Sequence, residues 1–195
     1  VSGGVISIWG AMAIAPVRID GEIVGSLNQG DISSSRFTPD MDTSYLDRLM
    51  LKISLCLSNV TAHEQLTYFA YHDTLTGLLN RRAFETALKA EFNRCLRHGG
   101  DLSIVFCDLD AFKKINDNYG HDAGDMALKY VGKTLVAHGR KEDVVARFAG
   151  DEFVLMLPET AGHQAEHLLS RVQHHLDLHP LQVDDKMLNI SLSHG

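Results

Sequence analysis

The segment Arg147-Phe148-Ala149-Gly150-Asp151-Glu152-Phe153 sets two adjacent carboxylates beside a glycine. Apolar, strand-like runs flank it, Asp143 to Phe148 before and Phe153 to Leu157 after. A Gly-containing pair between such runs predicts a β-hairpin, with Asp151 and Glu152 at its tip. Roughly forty residues earlier another strand-like run, Ser103 to Cys107, ends in Asp108-Leu109-Asp110. Acids at a strand end and at a hairpin tip can converge on a hard cation such as Mg²⁺. That ion takes oxygen ligands, commonly one or two carboxylates plus substrate phosphates. The chemistry that suits such a site is phosphoryl transfer on a nucleotide.

The elements that must carry these groups are legible from residue 72 onward. The pattern predicts a helix from Arg81 to His98, a strand from Leu102 to Leu109, and helices from Phe112 to Asn118 and Ala123 to His138. A hairpin from Asp143 to Leu157, a helix from Gly162 to Leu178 and a strand from Met187 to Ser193 complete the order. This mixture predicts an α/β (α+β) fold, a mixed sheet covered by helices. Along the first strand Ile104, Phe106, Asp108 and Asp110 share one face, and Val105, Cys107 and Leu109 the other. Both faces begin apolar, so the strand is expected to be central and buried on both sides. Asp110 is read as the N-cap of the helix that follows.

The first 71 residues have a different character. Residues 1–40 read as strands and turns, with Asp20-Gly21 between apolar runs favouring a hairpin. The apolar stretch from Val5 to Val17 is too short to span a bilayer, contains Gly10 and Pro16, and is read as a core strand. Residues 42–71 turn helical, with Leu46, Leu49, Ile53, Leu57 and Val60 at intervals of three and four. Such a seam fits either a helix packed on its own domain or a dimerising connector between two dissimilar domains. The chain starts without Met and both ends read as sheet segments, the expectation for a fragment of a longer multidomain protein.

A net charge of −7 argues against an electrostatic nucleic-acid binder. Binding a polyphosphate would fall to a metal and a few local Lys or Arg side chains. Three cysteines, Cys56, Cys95 and Cys107, form neither a zinc spacing nor an even disulfide framework, so a cytoplasmic location is expected. Of eleven histidines, His174, His175 and His179 lie on a predicted polar helix without a carboxylate motif, and are read as a solvated helix end rather than a metal site.

Four segments in order carry a resemblance: His72 to Arg82, Asp108 to Asp117, His121 to Asp125, and Arg147 to Phe153. Residues 72–195 resemble the GGDEF family of diguanylate cyclases, whose domain has a palm-like, nucleotidyl-cyclase architecture. Residues 1–71 are similar to the end of a GAF-type sensor domain and its exit helix. The domain expectation is therefore a GAF-like remnant at 1–41, a connecting signalling helix at 42–71, and a GGDEF domain at 72–195 that is incomplete at its C-terminus. The resemblance implies that two GTP condense to cyclic di-GMP with release of two pyrophosphates. It also implies Mg²⁺ or Mn²⁺ as cofactor and a homodimer that brings two half-sites face to face, with no nucleic acid and no direct membrane segment.

Residue roles follow by the same likeness. Asp108 through its carboxylate, Leu109 through its carbonyl, Asp151 and Glu152 are the expected metal ligands. Asp151 and Glu152 are the catalytic pair, Asp151 also helping to deprotonate the attacking hydroxyl. Lys113 is assigned to the phosphates. Asn116 and Asp125 are assigned to guanine, whose N–H donors a carboxylate accepts and whose edge an amide can answer. Arg140 and Asp143 have the family's Arg-x-x-Asp spacing, with five residues between Asp143 and Ala149, which in relatives is an inhibitory product site. Arg140 can fork to guanine N7 and O6, and Arg147 is placed with either phosphate site.

Two departures stand out. The family usually has Gly-Gly where this chain has Ala149-Gly150, a cost of about 1 kcal/mol if the first position requires positive φ. The chain also stops at Gly195, where the family continues with a strand, a helix and a basic phosphate contact, so an impaired fragment is an expectation. The competing readings are a catalytically impaired receptor for GTP or cyclic di-GMP, and a nucleotidyl cyclase with another product.

Overall fold

The computed structural model describes residues 10–195. The chain divides into two compact units, one ending at Thr67 and one running from Tyr68 to Gly195. In the first, β1 (Ala11–Ile19) and β2 (Glu22–Asp31) pair antiparallel. They turn through Asp20 and Gly21, both at positive φ (51° and 87°), as the primed turns of two-residue hairpins require. Over its described strand residues, Ala11 to Val17, the apolar run expected as a core strand is not buried. Its residues 5–9 lie outside the described residues, and from Ala11 on half-buried and exposed side chains alternate, with Ile14 64% exposed. A two-stranded ribbon packs at most one face, so alternation rather than burial results.

Helix α1 (Ser44–Tyr71) follows. It begins just after the expected start because the Asp42 carboxylate accepts the Ser44 amide at 2.9 Å from outside the helix. Of its apolar seam, Leu46, Leu49 and Ile53 are half-buried around a buried Met50, whereas Leu57 and Val60 are exposed. Among the described residues, no helix is long and apolar enough to cross a membrane.

The second unit carries β3 (Leu79–Asn80), α2 (Arg81–His98), β4 (Leu102–Leu109), α3 (Phe112–Tyr119), α4 (His121–His138), β5 (Val144–Ala149), β6 (Glu152–Pro158), α5 (Gly162–Leu178), β7 (Leu181–Val183), β8 (Lys186–Leu188) and β9 (Leu192–His194). Five of these strands form one mixed sheet in the order β3-β5-β6-β4-β9, with β3 parallel to β5 and the other pairs antiparallel. The helix-covered mixed sheet is the architecture expected. Asn80 caps α2, its side chain accepting the Ala83 amide at 2.9 Å, and Gly99 ends it at φ 75°.

One face of the sheet holds the main core. Val105, Cys107, Leu109, Phe153, Leu155 and Leu157 pack there against Leu128, Val131 and Leu135 of α4 and Leu169, Val172 and Leu176 of α5. Each such side chain, fully buried, stabilises the fold by roughly 1.5–3 kcal/mol. Burial also pushes the Cys107 thiol up to about 12. On the other face a smaller cluster of Ala146, Val154 and Met156 packs under Phe84 of α2.

Two expectations need correction. β4 is buried on one face only: Phe106 is 47% exposed and Asp108 is exposed beside it. The reason is that α2 lies over β3 and β5 and leaves the β4 end of that face open. The single strand expected from Met187 to Ser193 is broken. Asp184, at φ 51°, turns the chain so that β8 pairs with β7, and only Leu192–His194 reaches the sheet, beside β4.

The histidines at the end of α5 are also not simply solvated. His175 is half-buried, its ring 4.9 Å from that of His138 and 4.3 Å from that of His179, stacked on the latter. Arg171 reaches the same place, donating to the His138 carbonyl. Burial first, then His179 and His138, hold His175 below the ordinary value of 6.5. Unfolded chain therefore binds this proton more readily than folded chain, so the contribution is complete above about pH 6.5 and declines as the pH falls below it. Thermal melts between pH 8 and 5.5 should show Tm falling below pH 6.5. His175→Gln should flatten that part of the curve.

Candidate active site

Register sets the site. In the β4–β6 ladder Cys107 faces Phe153 and Asp108 faces Glu152, so two carboxylates stand side by side on the open face of the sheet. Cross-strand neighbours lie roughly 5 Å apart at Cβ, and like charges in that position repel. The turn between β5 and β6 adds Asp151, whose carbonyl accepts the Leu109 amide at 3.2 Å and so ties the end of β4 to the hairpin tip. The Asp108 carboxyl is pushed above the ordinary carboxylate range by burial, then by Asp151, Glu152 and Asp110. An all-oxygen donor set with unneutralised negative charge fits a hard divalent cation. Among the described residues, no group of three or more His, Cys, Asp or Glu side chains is closed around an ion position. One or two carboxylates suffice for Mg²⁺ when waters and phosphates supply the rest.

The hairpin tip answers the question raised by Ala149. Ala149 belongs to β5 and pairs with Glu152, with a bulge between Arg147 and Ala149. The residue with left-handed backbone is Gly150, at φ 50°, and Ala149 is not among those with positive φ. The conditional cost of alanine at the first position does not arise.

Asp110 is not a helix cap. Ala111 occupies that position, in the left-handed region at φ 54° and without a side-chain cap. The Asp110 carboxylate instead accepts the hydroxyls of Ser191 (2.7 Å) and Ser193 (2.6 Å), which hold it below the ordinary carboxylate range. The physical reason is β9: once Leu192 pairs with Leu109, both serines stand over the end of β4.

Lys113 is exposed in the first turn of α3. Asn116 lies further along α3, and Asp125 is exposed in the early turns of α4. The structure lays Asn116 against Gly124, the residue before Asp125. A Cβ on Gly124 would fall 2.0 Å from Asn116 Oδ1, so the amide lies against backbone that only glycine leaves open, next to Asp125. Gly124 was within a recognised motif, but nothing local marked it as the residue that lets α3 approach α4.

Arg140 and Asp143 form a tight turn, the Arg140 amide donating to Asp143 Oδ2 at 2.6 Å. They line a cavity of about 470 Å³ with Glu91, Arg94, Glu142, Pro158 and Glu159. Arg94 is paired there with Glu91 (2.6 Å) and Glu159 (3.2 Å). Arg171 lines an adjoining cleft with the same Arg140 and Asp143. Neither Arg94 nor Arg171 is recognisable from sequence, since each comes from a distant helix. Arg147 is engaged elsewhere, with Asp73 and with the Gly150 carbonyl.

Residues 70–195 match the family model described as diguanylate cyclase, GGDEF domain. The chain is 41% identical over 134 residues to the cyclic di-GMP phosphodiesterase NbdA of Pseudomonas aeruginosa, covering 69% of this chain and 17% of that protein. It is 41% identical over 126 residues to the diguanylate cyclase DgcP of the same organism, covering 65% and 19%. Thus it spans less than a fifth of either relative. Among solved structures, the coiled coil and GGDEF domain of DgcB from Caulobacter crescentus, in complex with c-di-GMP, is similar with a TM-score of 0.67 and 25% identity, covering 77% of this chain and 81% of that one. With four motifs in register, a match over most of its length and a shared fold, the chain belongs to the GGDEF family.

Proposed function

We propose that this chain is the catalytic part of a diguanylate cyclase, condensing two GTP into cyclic di-GMP with release of two pyrophosphates. The observation that carries the reading is the Asp108–Glu152 cross-strand pair with Asp151 in the adjoining turn. Asp108, the Leu109 carbonyl, Asp151 and Glu152 would hold Mg²⁺ or Mn²⁺, which when bound neutralises phosphate charge and polarises the reacting centre. The 3′-hydroxyl of one GTP attacks the α-phosphate of the other, and Asp151 accepts the proton it loses. Lys113 steadies the phosphates. Asn116 and Asp125 select guanine, since adenine would leave a carboxylate unpaired at a cost of roughly 1–3 kcal/mol or more.

Each domain would hold one GTP, so the reaction needs two copies. Exposed Leu51, Leu55, Leu57, Val60 and Leu66 along α1 support a connector that pairs with its counterpart. On this reading residues 1–41 end a GAF-like sensor, residues 42–71 form the connector and residues 72–195 the cyclase domain, acting in the cytoplasm where GTP is made. Cyclic di-GMP would return to Arg140 and Asp143 as inhibitor, with Arg147 as a further expected contact and Arg94 and Arg171 within reach of the same clefts. Ala149 no longer favours the receptor alternative, because its backbone needs no glycine.

Incubation with GTP and Mg²⁺ followed by mass identification of the product tests the activity; intact GTP, or a different cyclic product, overturns it. Asp151→Asn should lower turnover by more than about 100-fold with little change in Tm, since even partners behind metal ligands are worth roughly 10–100-fold. Near-normal turnover in that variant would remove Asp151 from the site.

Calorimetry of GTP binding tests the base pocket. Asp125→Ala should weaken GTP about tenfold or more, with metal affinity less affected. Gly124→Ala should act in the same direction by displacing the Asn116 amide. Equal affinity in both variants and parent would point to another base-reading pair.

Product control is tested by progress curves with cyclic di-GMP added at the start. Arg140→Ala, losing a fork contact worth roughly 1–3 kcal/mol, should need about ten times more product, or beyond, to slow equally. Identical slowing in parent and variant would place inhibition elsewhere.

A further inference from the structure

Arg147 stands in β5 just before the hairpin tip, and its guanidinium joins two segments far apart in sequence. Nε donates to the Gly150 carbonyl at 2.8 Å, across the turn that presents Asp151. Nη1 donates to both carboxylate oxygens of Asp73, at 3.1 and 3.2 Å. The pair is well shielded, with 16% of the Arg147 side chain and 22% of the Asp73 side chain exposed.

Asp73 is itself held. Its Oδ1 accepts the Thr76 amide and hydroxyl at 2.8 and 2.7 Å. Its amide donates to Leu78 O and its carbonyl accepts from Gly77. Burial pushes its carboxyl upward, but the Thr76 bonds and Arg147 outweigh that and hold it below the ordinary range. This loop is fastened to the last turn of α1: His72 stacks on Tyr68 at 4.2 Å, and the Asn80 amide donates to Ala70 O at 3.0 Å. His72 also meets the Gly77 carbonyl at 3.0 Å. An unbroken chain of directed contacts thus runs from Tyr68 through Asp73 and Arg147 to Gly150.

We propose that Asp73 and Arg147 are positioning residues for the carboxylate tip, a clasp through which the end of α1 sets where Asp151 and Glu152 stand. Gly150, left-handed at φ 50°, has nothing within 4 Å of where a Cβ would stand, so no side-chain packing holds it there. The fork from Arg147 supplies that hold. In this role both act through the tip, the Arg147 guanidinium being bonded to Asp73 and Gly150. The catalytic part of this inference rests on the cyclase reading above; the placement of the tip does not.

The test compares the whole chain with Asp73→Asn, Arg147→Gln and the double variant, by hydrogen exchange and by GTP turnover. Exchange at residues 149–152 should rise about tenfold in either single variant, the scale of a coupled contact pair, while β6 amides from Val154 to Leu157 stay protected. Turnover should fall by about 10–100-fold, the scale of a small misplacement of reacting groups, with KM for GTP changed less than about threefold. The double variant should be no worse than the worse single one. Arg147→Lys keeps the charge without the fork; it should loosen the tip as well, and serves if Asp73→Asn fails to fold. Unchanged exchange at the tip, loss of protection throughout β6, or effects that multiply in the double variant would each overturn the proposal. A parent chain that makes no cyclic di-GMP defeats the activity reading alone, since the exchange measurement still decides the clasp.

Discussion

The antiparallel ladder between β4 and β6 is the constraint on which this domain depends. It places Asp108 opposite Glu152, an arrangement that repels itself and raises the Asp108 carboxyl. The alternate residues of the same strands, Cys107 and Phe153, are buried in the main core. A slip of one residue would turn those apolar side chains outward and the acids inward. Burial of the core thus enforces the unfavourable pairing of charge, and that pairing is what a divalent cation and phosphates would relieve.

The two faces of the sheet divide the labour. Helices α4 and α5 close one face, while α2 covers only part of the other. The uncovered part is where Phe106 and Asp108 reach solvent. The acids sit at the boundary of packed and open sheet, so their supports come from the edges. Ser191 and Ser193 hold Asp110 from β9, and Asp151 O holds the Leu109 amide from the hairpin. The ladder holds the backbone of Asp108 and Glu152 while their side chains stay exposed, which suits a site that would gain ligands.

A chain with net charge −7 would have to localise its cations in order to bind a polyphosphate. Here they are spread among different duties. Arg94 is neutralised by Glu91 and Glu159 beside Arg140, and Arg147 by Asp73. Lys113 remains at the exposed start of α3. Ion pairs shared between helices and loops can exchange partners when an anion arrives, whereas an isolated basic patch would attract anions without discrimination.

Local pattern was enough for most of the second unit. The periodicity of Arg81 to His98 and Gly162 to Leu178, and the glycine-containing turn at Ala149-Gly150, specify elements whose physics is confined to a few neighbouring residues, and α2, α5 and the β5–β6 hairpin formed accordingly. The acids at the end of β4 and at the hairpin tip were likewise legible as a pair, because strand and turn geometry dictate where they lie. What sequence alone could not decide is which partners arrive from elsewhere. Asp110 looks like a helix cap until β9 brings Ser191 and Ser193 over it. Met187 to Ser193 reads as one strand until Asp184 diverts its first half to β7, and β4 reads as fully buried until α2 leaves its end bare. Nothing near Arg147 in the sequence announces Asp73, 74 residues away, as the partner of its guanidinium. Local torsional and hydrophobic preferences act along the chain and are written in it; long-range pairing depends on which surfaces remain after the layers have packed, and only the tertiary structure settles that.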